Sequence, residues 1–394
     1  MRFNRMEIAG SLGDLGGLLP LGMGMVMING LDASGMFFSI GLIYLYSAFY
    51  FRVTSPVQPM KVICAYAIAT GIASSQILAA TLMAAIFFLV IGITGIADVA
   101  GRKTPQAVVR GIQAAIGFML IDQGARFTFG VTSFQVRQNA VEPYLMLQSL
   151  GPVPIGLLLG GIGLLTTVLL LRSRRYPAML VLIGGGLAVG LFLGNPGSLS
   201  NLAPGIHPPE VMPFGFPALT DFIIALTTLV LPQIPMTLGN AVIAQADLSQ
   251  RYFGQASSRV TYKSLCLSLA VANALVFLFG GMPLAHGAEG MAARYRFGAR
   301  TAGSNVFIGV IFVVLAVIFG AKVTAILGLI PLSVLGVLLL LTGLELVLAF
   351  RDLVKARDLV IAGVVIVLTF FVNLTAGFVA GLLVAWLIGW WGRR

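Results

Sequence analysis

Lys61 closes the stretch Ser55-Pro56-Val57-Gln58-Pro59-Met60-Lys61, a polar interruption with two prolines set between apolar residues. An ammonium group inside a bilayer costs about 2.5–3.5 kcal/mol on insertion scales, so it must be paired or used. A matching interruption, Gly280-Gly281-Met282-Pro283-Leu284-Ala285-His286-Gly287, lies in the other half of the chain. Pro56 and Pro59 remove two backbone donors and fix φ, which predicts an extended entry and a helix starting near Pro59. Pro283 and Gly287 predict the same geometry for the second interruption, approached from the opposite side. A helix that begins inside the membrane leaves its first N–H groups unpaired and carries about half a positive charge there. Two such ends facing each other offer about +1, and Lys61 in the first turn raises the total towards +2. That chemistry suits a compact dianion held by distributed hydrogen bonds.

Further polar groups gather around the two breaks. Gln58 and Gln233 can supply amide donors, and Thr237 and His286 can hydrogen-bond oxygen ligands. With Met60, Lys61, Ala285 and Gly287 they form the expected substrate-binding set. Each has a plainer reading: Lys61 neutralising Asp14, Gln58 satisfying nearby backbone, Gln233 packing between Pro232 and Pro235, His286 capping a helix. Asp14, within Gly13-Asp14-Leu15-Gly16-Gly17, and Glu289 are the candidate proton carriers, because a carboxylate beside a bound dianion is driven to take up a proton. Their alternative is structural pairing with Lys61 or an arginine. The run Arg294-Tyr295-Arg296-Phe297-Gly298-Ala299-Arg300 reads as an inside-facing anchor that could also attract anions.

The elements that must position these residues are membrane helices. Of 394 residues, 58% are hydrophobic and 9% charged, against roughly 25% charged in soluble domains. With a mean hydropathy of +1.01, the repeated apolar runs predict a polytopic α-helical protein. Glu7 and Asp14 interrupt any signal-peptide core, so none is expected. Cys64 and Cys266 read as buried thiols, with no spacing suited to a metal. The net charge of +11 sits in alternate short loops, which marks topology rather than nucleic-acid binding.

Fourteen apolar segments are predicted, at 7–30, 35–52, 57–71, 74–97, 104–122, 154–171, 177–194, 218–245, 258–279, 284–295, 304–321, 324–348, 358–373 and 375–391. Segments three and ten are half-length helices. With the amino terminus inside, the inside loops hold Arg2, Arg5, Arg102, Lys103, Arg172, Arg174, Arg175, Arg251, Arg259, Lys263, Arg294, Arg296, Arg300, Arg351, Lys355, Arg357, Arg393 and Arg394. The outside loops keep Arg126, Arg137 and Lys322. The Pro- and Gly-rich connection at 195–217, containing His207, separates residues 1–194 from 218–394. Seven segments is an odd number, so the second half enters the bilayer inverted. Pro20 answers loosely to Pro232 and Pro235, and Pro56 to Pro283. Matched breaks in two inverted halves predict an inverted-repeat transporter with its substrate site at the breaks.

The same residues carry a family resemblance. S-P-V-Q-P-M-K at 55–61 and G-G-M-P-L-A-H-G-A-E-G-M-A-A-R-Y-R-F-G-A-R-T at 280–301 resemble the two signature motifs of the molybdate transporter family, within the sulfate-permease superfamily. Gly10-Ser11-Leu12-Gly13-Asp14-Leu15-Gly16 resembles its first-helix pattern, and Leu231-Pro232-Gln233-Ile234-Pro235-Met236-Thr237-Leu238 its eighth. The resemblance implies a seven-plus-seven inverted repeat split into a core (about 7–97 and 218–321) and a gate (about 104–194 and 324–391). It also implies an elevator-like movement of the core and high-affinity oxyanion uptake. The larger sulfate permeases carry a cytoplasmic STAS domain after the last span, which is not expected here. Two positions depart from the family pattern: Ala285 stands where a Cys is usual, and Glu289 where a Gly is usual.

The resulting expectation is a secondary active importer of molybdate, coupled to protons, in a bacterial inner membrane with both termini cytoplasmic. No cofactor is expected; the partners are the oxyanion and membrane lipid, with homodimerisation left open. Tungstate and sulfate share the charge and shape of molybdate, so a sulfate or general oxyanion permease is the alternative. A nucleobase permease would leave Lys61 unpaired against a neutral ligand. A channel needs a continuous polar path, whereas these polar groups gather at one depth. No nucleophile set or nucleotide-binding loop points to an enzyme.

Overall fold

The computed structural model describes residues 1–95, 105–170, 173, 177–194 and 204–391. Arg102, Lys103, Arg172, Arg174, Arg175, Arg393 and Arg394, with the first part of the 195–217 connection, lie outside the described residues. Seven helices are long and apolar enough to cross a membrane: Arg5–Asn29, Ala33–Phe51, Ser74–Thr94, Leu219–Ser257, Tyr262–Phe279, Gly303–Gly328 and Leu332–Asp352. These are segments one, two, four, eight, nine, eleven and twelve. Segment five is Gln106–Phe129, and the shorter apolar helices Ile155–Leu170, Ala178–Leu193 and Leu374–Gly389 supply six, seven and fourteen. Segment thirteen is Ala356–Phe371.

Segments three and ten are the expected half-helices, Lys61–Thr70 and Ala288–Arg296. At about 1.5 Å per residue neither reaches across a bilayer.

Several boundaries differ from expectation, each for a local reason. Segment five continues past 122 because Asp122 and Arg126 pair along its polar end at 2.7 Å, and Gly130 stops it at φ +75°. Segment twelve starts at Leu332, behind Pro331, and Val323–Gly328 is a short helix continuing segment eleven. Segment eight runs well beyond 245. Pro232 and Pro235 lack the N–H groups an α-helix needs, and flanking turns at Leu226–Val230 and Thr237–Ala244 widen to π-helix.

The two halves interleave. Segment two packs along eleven, and four along nine, while five packs along twelve. Exchanging the halves maps the first two pairings onto each other and the third onto itself, as an inverted repeat requires. Segments five and twelve touch backbone to backbone. A Cβ on Gly117 would stand 2.7 Å from the Gly343 carbonyl oxygen, and one on Gly124 2.5 Å from that of Gly336. Small residues permit this approach, which supplies dispersion contacts where lipid offers no hydrophobic drive. The protein is an all-α, fourteen-segment membrane protein built as a seven-plus-seven inverted repeat.

Candidate functional site

The two breaks meet as a strand pair. Gln58–Pro59 runs antiparallel to Leu284–Ala285, with Gln58 opposite Ala285 and Pro59 opposite Leu284. The Met60 N–H donates to the Pro283 carbonyl at 2.9 Å. Non-helical backbone at membrane depth has to be satisfied by protein, and the ladder does this. Asn273 of segment nine completes it, donating to the Leu284 carbonyl at 2.8 Å and accepting from the Leu284 N–H at 3.1 Å. Both half-helices therefore start from one small sheet, each aiming its amino terminus back towards it.

Three residues expected to bind substrate are committed to this junction. The Gln233 Oε1 accepts from the Ile63 N–H at 3.1 Å, capping segment three. Its Nε2 donates to the Thr237 hydroxyl at 2.7 Å, and that hydroxyl donates to the Gln233 carbonyl at 3.1 Å. His286 lies 2.8 Å from the Pro56 carbonyl through Nδ1 and 2.9 Å from the Ser268 hydroxyl through Nε2. Because a carbonyl only accepts, Nδ1 carries the proton and Nε2 accepts from Ser268. Gln233 thus caps segment three, where its plainer reading is packing between Pro232 and Pro235, and His286 ties the extended entry at Pro56 to segment nine rather than capping a helix. Met60 is fully buried as the residue before segment three.

Gln58 and Lys61 line cavity space instead. Among the described residues no protein group hydrogen-bonds the Gln58 amide. It lies across the first turn of segment ten, where a Cβ on Gly287 would meet its Oε1 at 2.0 Å and one on Gly290 its Nε2 at 2.6 Å. Those glycines leave room for the amide. The Lys61 Nζ lies 2.9 Å from the Glu289 Oε1, and the Asn240 Nδ2 donates to the Glu289 Oε2 at 3.1 Å. Glu289 therefore cancels the lysine charge, the structural pairing that the sequence left open as its alternative role. Its side chain is 49% exposed, though towards cavities enclosed by the helices.

Gln58, Lys61, Asn240, Ala285 and His286 border a space of about 10 Å³, room for about one water. Two larger cavities, each of about 360 Å³, begin at the same Lys61–Glu289 pair. One runs between segments one, three and ten on one side and six, seven and twelve on the other. Its far end is lined by Ser173, Pro177, Arg296 and Phe297. The second borders Arg110, Gln113, Thr342 and Glu345.

Asp14 is held elsewhere. Its Oδ1 lies 3.1 Å from the Arg294 Nη1, and its Oδ2 accepts from the Tyr44 hydroxyl at 2.8 Å, with both charged side chains fully enclosed. Arg294 also donates to the Thr54 and Ser304 hydroxyls, the Ser11 carbonyl and the Asn305 amide oxygen. Arg294 is thus no loop anchor: it lies within segment ten and ties that half-helix to segments one and eleven. A buried pair this well bonded holds because losing one partner leaves a stranded charge, at about 3–5 kcal/mol.

Sequence reasoning missed Asn240, Asn273 and Glu345, and took Arg294 for an anchor rather than the partner of Asp14. Asn240 becomes visible only once the π-helical turn is known. Glu345 had a signal, being a lone acid inside the apolar run Leu341–Leu348, and the rule that drew attention to Asp14 applies equally to it.

A family model described as "Molybdate transporter of MFS superfamily" matches residues 6–120 and 225–346. That span covers both breaks and most of the chain. The chain belongs to the molybdate transporter family. Molybdate transporter 2 of Arabidopsis thaliana is 30% identical over 386 residues, covering 89% of this chain and 80% of that protein. Molybdate transporter 1 of Chlamydomonas reinhardtii is 28% identical over 475 residues, with 95% and 90% covered. These relatives are transporters, and this family member is a transporter rather than an enzyme. Among solved structures, the transmembrane domain of a cyanobacterium bicarbonate transporter, BicA, has a TM-score of 0.65 at 17% identity, covering 96% of this chain and 98% of that one. The inward-facing murine Solute Carrier 26 family member A9 anion transporter scores 0.67 at 14% identity, over 100% of this chain and 70% of that one. They share the fold. The family description refers to the MFS superfamily, whose halves are parallel repeats; this molybdate transporter family fold instead has inverted halves of odd segment number.

Proposed function

We propose that this protein is a secondary active transporter that imports molybdate, with protons as the coupling ion. The observation that carries the reading is the pairing of Gln58–Pro59 with Leu284–Ala285. It sets two helix amino termini, the Lys61 ammonium and the free Gln58 amide around one point in the membrane. Membership of the molybdate transporter family supports the choice of oxyanion.

With Glu289 on Lys61 the site has no room for a tetrahedral anion, so the Glu289 side chain moves aside as the anion enters. An ion pair with one partner half exposed contributes about 0–1 kcal/mol. A dianion that also gains the Gln58 amide and the segment ten N–H groups outcompetes it. Glu289 then stands beside a like charge, which supports its place among the proton carriers. Asp14, held by Arg294 and Tyr44, is assigned to stability instead.

Residues about 7–97 and 218–321 form the moving core in this reading, and about 104–194 and 324–391 the gate. The core slides in an elevator-like movement, for which the cavity between segments one, three and ten and segments six, seven and twelve is the plane of sliding. The charge asymmetry supports cytoplasmic termini in a bacterial inner membrane. Ala285 and Glu289, which depart from the family pattern, favour a general oxyanion permease as the second reading.

Thermal stabilisation of the purified protein tests this, since a ligand that binds only the native state raises its apparent stability. Molybdate and tungstate should stabilise it, with sulfate weaker and bicarbonate and uracil without effect. Stabilisation by bicarbonate or uracil alone would overturn the reading.

A further inference from the structure

Three acids border the cavities that begin at Lys61: Asp14, Glu289 and Glu345. Asp14 has both carboxylate oxygens bonded, to Arg294 and Tyr44. Glu289 has both bonded, to Lys61 and Asn240. Glu345 makes no hydrogen bond or ion pair with any described residue, yet it lines both 360 Å³ cavities together with Lys61 and Glu289.

The surrounding charges sharpen the contrast. Segment three offers Lys61, segment ten Glu289 and Arg296, segment five Arg110, segment one Asp14, and the end of segment twelve Asp352. Segments six and seven bring no titratable group from Ile155–Leu170 or Ala178–Leu193. Lys61 with Glu289, Arg110 with Asp352 and Asp14 with Arg294 cancel in pairs. Arg296 lies seven residues beyond Glu289 on the same helix, about 10 Å along its axis, at the exposed end. Among the side chains beside the Lys61–Glu289 pair, one charge is left without a bonded partner, and it is negative. A pocket meant for a dianion thus carries a repulsive side-chain charge at its wall.

We infer that Glu345 is the gate-side proton acceptor of coupled transport, neutralised by a proton from cavity water when the oxyanion enters and ionised again when it leaves. Glu345 stands on segment twelve, in the proposed gate, whereas Lys61 stands in the core. Movement of the core changes their separation, so the charge state of Glu345 bears on anion occupancy and on sliding together. The step breaks no covalent bond in protein or substrate: one proton moves from water to the carboxylate and is later returned. The inference rests on the oxyanion-transport reading proposed above.

The test is molybdate affinity and proteoliposome uptake between pH 5.5 and 8 for wild type, Glu345→Gln and Glu345→Asp. Wild-type affinity falls with rising pH, approaching about tenfold per pH unit where one proton is taken up with the anion. Glu345→Gln, close in shape and permanently neutral, should bind molybdate with a clearly shallower pH dependence, the remainder belonging to Glu289, and should concentrate it less along a proton gradient. Glu345→Asp should keep a pH-dependent profile, displaced along the pH axis. A Glu345→Gln variant that binds molybdate and retains the wild-type pH profile would overturn the role of Glu345 alone. A wild type that no molybdate concentration stabilises would overturn the transport reading with it.

Discussion

Lys61 and Glu289 lie 228 residues apart in sequence, in opposite halves of the chain, and their charged groups meet at 2.9 Å. Each is in the first turn of a half-helix, so the pair spans the gap between the two amino termini. In the proposed transport reading, an acid at this point does for the empty site what a substrate oxyanion does for the filled one. It supplies the counter-charge that the lysine and two helix ends require.

Removing that acid should therefore help binding. Glu289→Gln leaves Lys61 free and removes a competitor contributing about 0–1 kcal/mol, which corresponds to a gain of up to roughly fivefold in molybdate affinity. Isothermal titration of the purified variant measures it. Weaker binding would mean that Glu289 holds the anion site open rather than filling it.

The space above segment ten is the second point. Gly287→Ala and Gly290→Ala each place a methyl group against the Gln58 amide. Overpacking of this kind costs about 1–3 kcal/mol, and the amide is pushed off the anion path. Uptake should fall far more than the melting temperature does. Equal uptake by Gly287→Ala and wild type would remove Gln58 from the path.

Arg294 and Asp14 predict the opposite balance. Arg294→Met strands the Asp14 carboxylate in a fully enclosed site, and the loss should reach about 3–5 kcal/mol. Asp14→Asn leaves Arg294 its acceptors Thr54, Ser11, Ser304 and Asn305, and should cost less. The pH profile of uptake should follow wild type in Asp14→Asn, and a flattened profile would return Asp14 to proton coupling.

Competition separates the oxyanions. Molybdate and tungstate have nearly the same size, while sulfate is smaller with shorter bonds, so donors fixed by backbone fit the first two alike. Tungstate should inhibit molybdate uptake far better than sulfate. Equal inhibition by sulfate would favour the general permease.

Much of this was legible in sequence because the physics is one-dimensional. Pro56, Pro59 and Pro283 announce broken helices wherever they sit in apolar runs, and the spacing of the breaks announces the repeat. The residues singled out near the breaks do come together around the paired strands. Their division of labour was not legible, since it depends on what lies across the gap. Gln233 and His286 resemble ligand donors in isolation, yet Ile63, Pro56 and Ser268 occupy their polar atoms. Arg294 looks like one more loop cation until Asp14, Tyr44 and Asn305 are brought round it. Glu345 was readable as a lone acid in a span, but its bearing on Lys61 comes only from the packing of segment twelve against five and one.

The most direct measurement is equilibrium binding of molybdate to wild type and to Lys61→Ala, each checked for folding by its melting temperature. A charge-assisted contact contributes about 1.5–3 kcal/mol, so the variant should bind roughly 10- to 100-fold more weakly. A folded Lys61→Ala protein that binds molybdate as tightly as wild type would contradict the account.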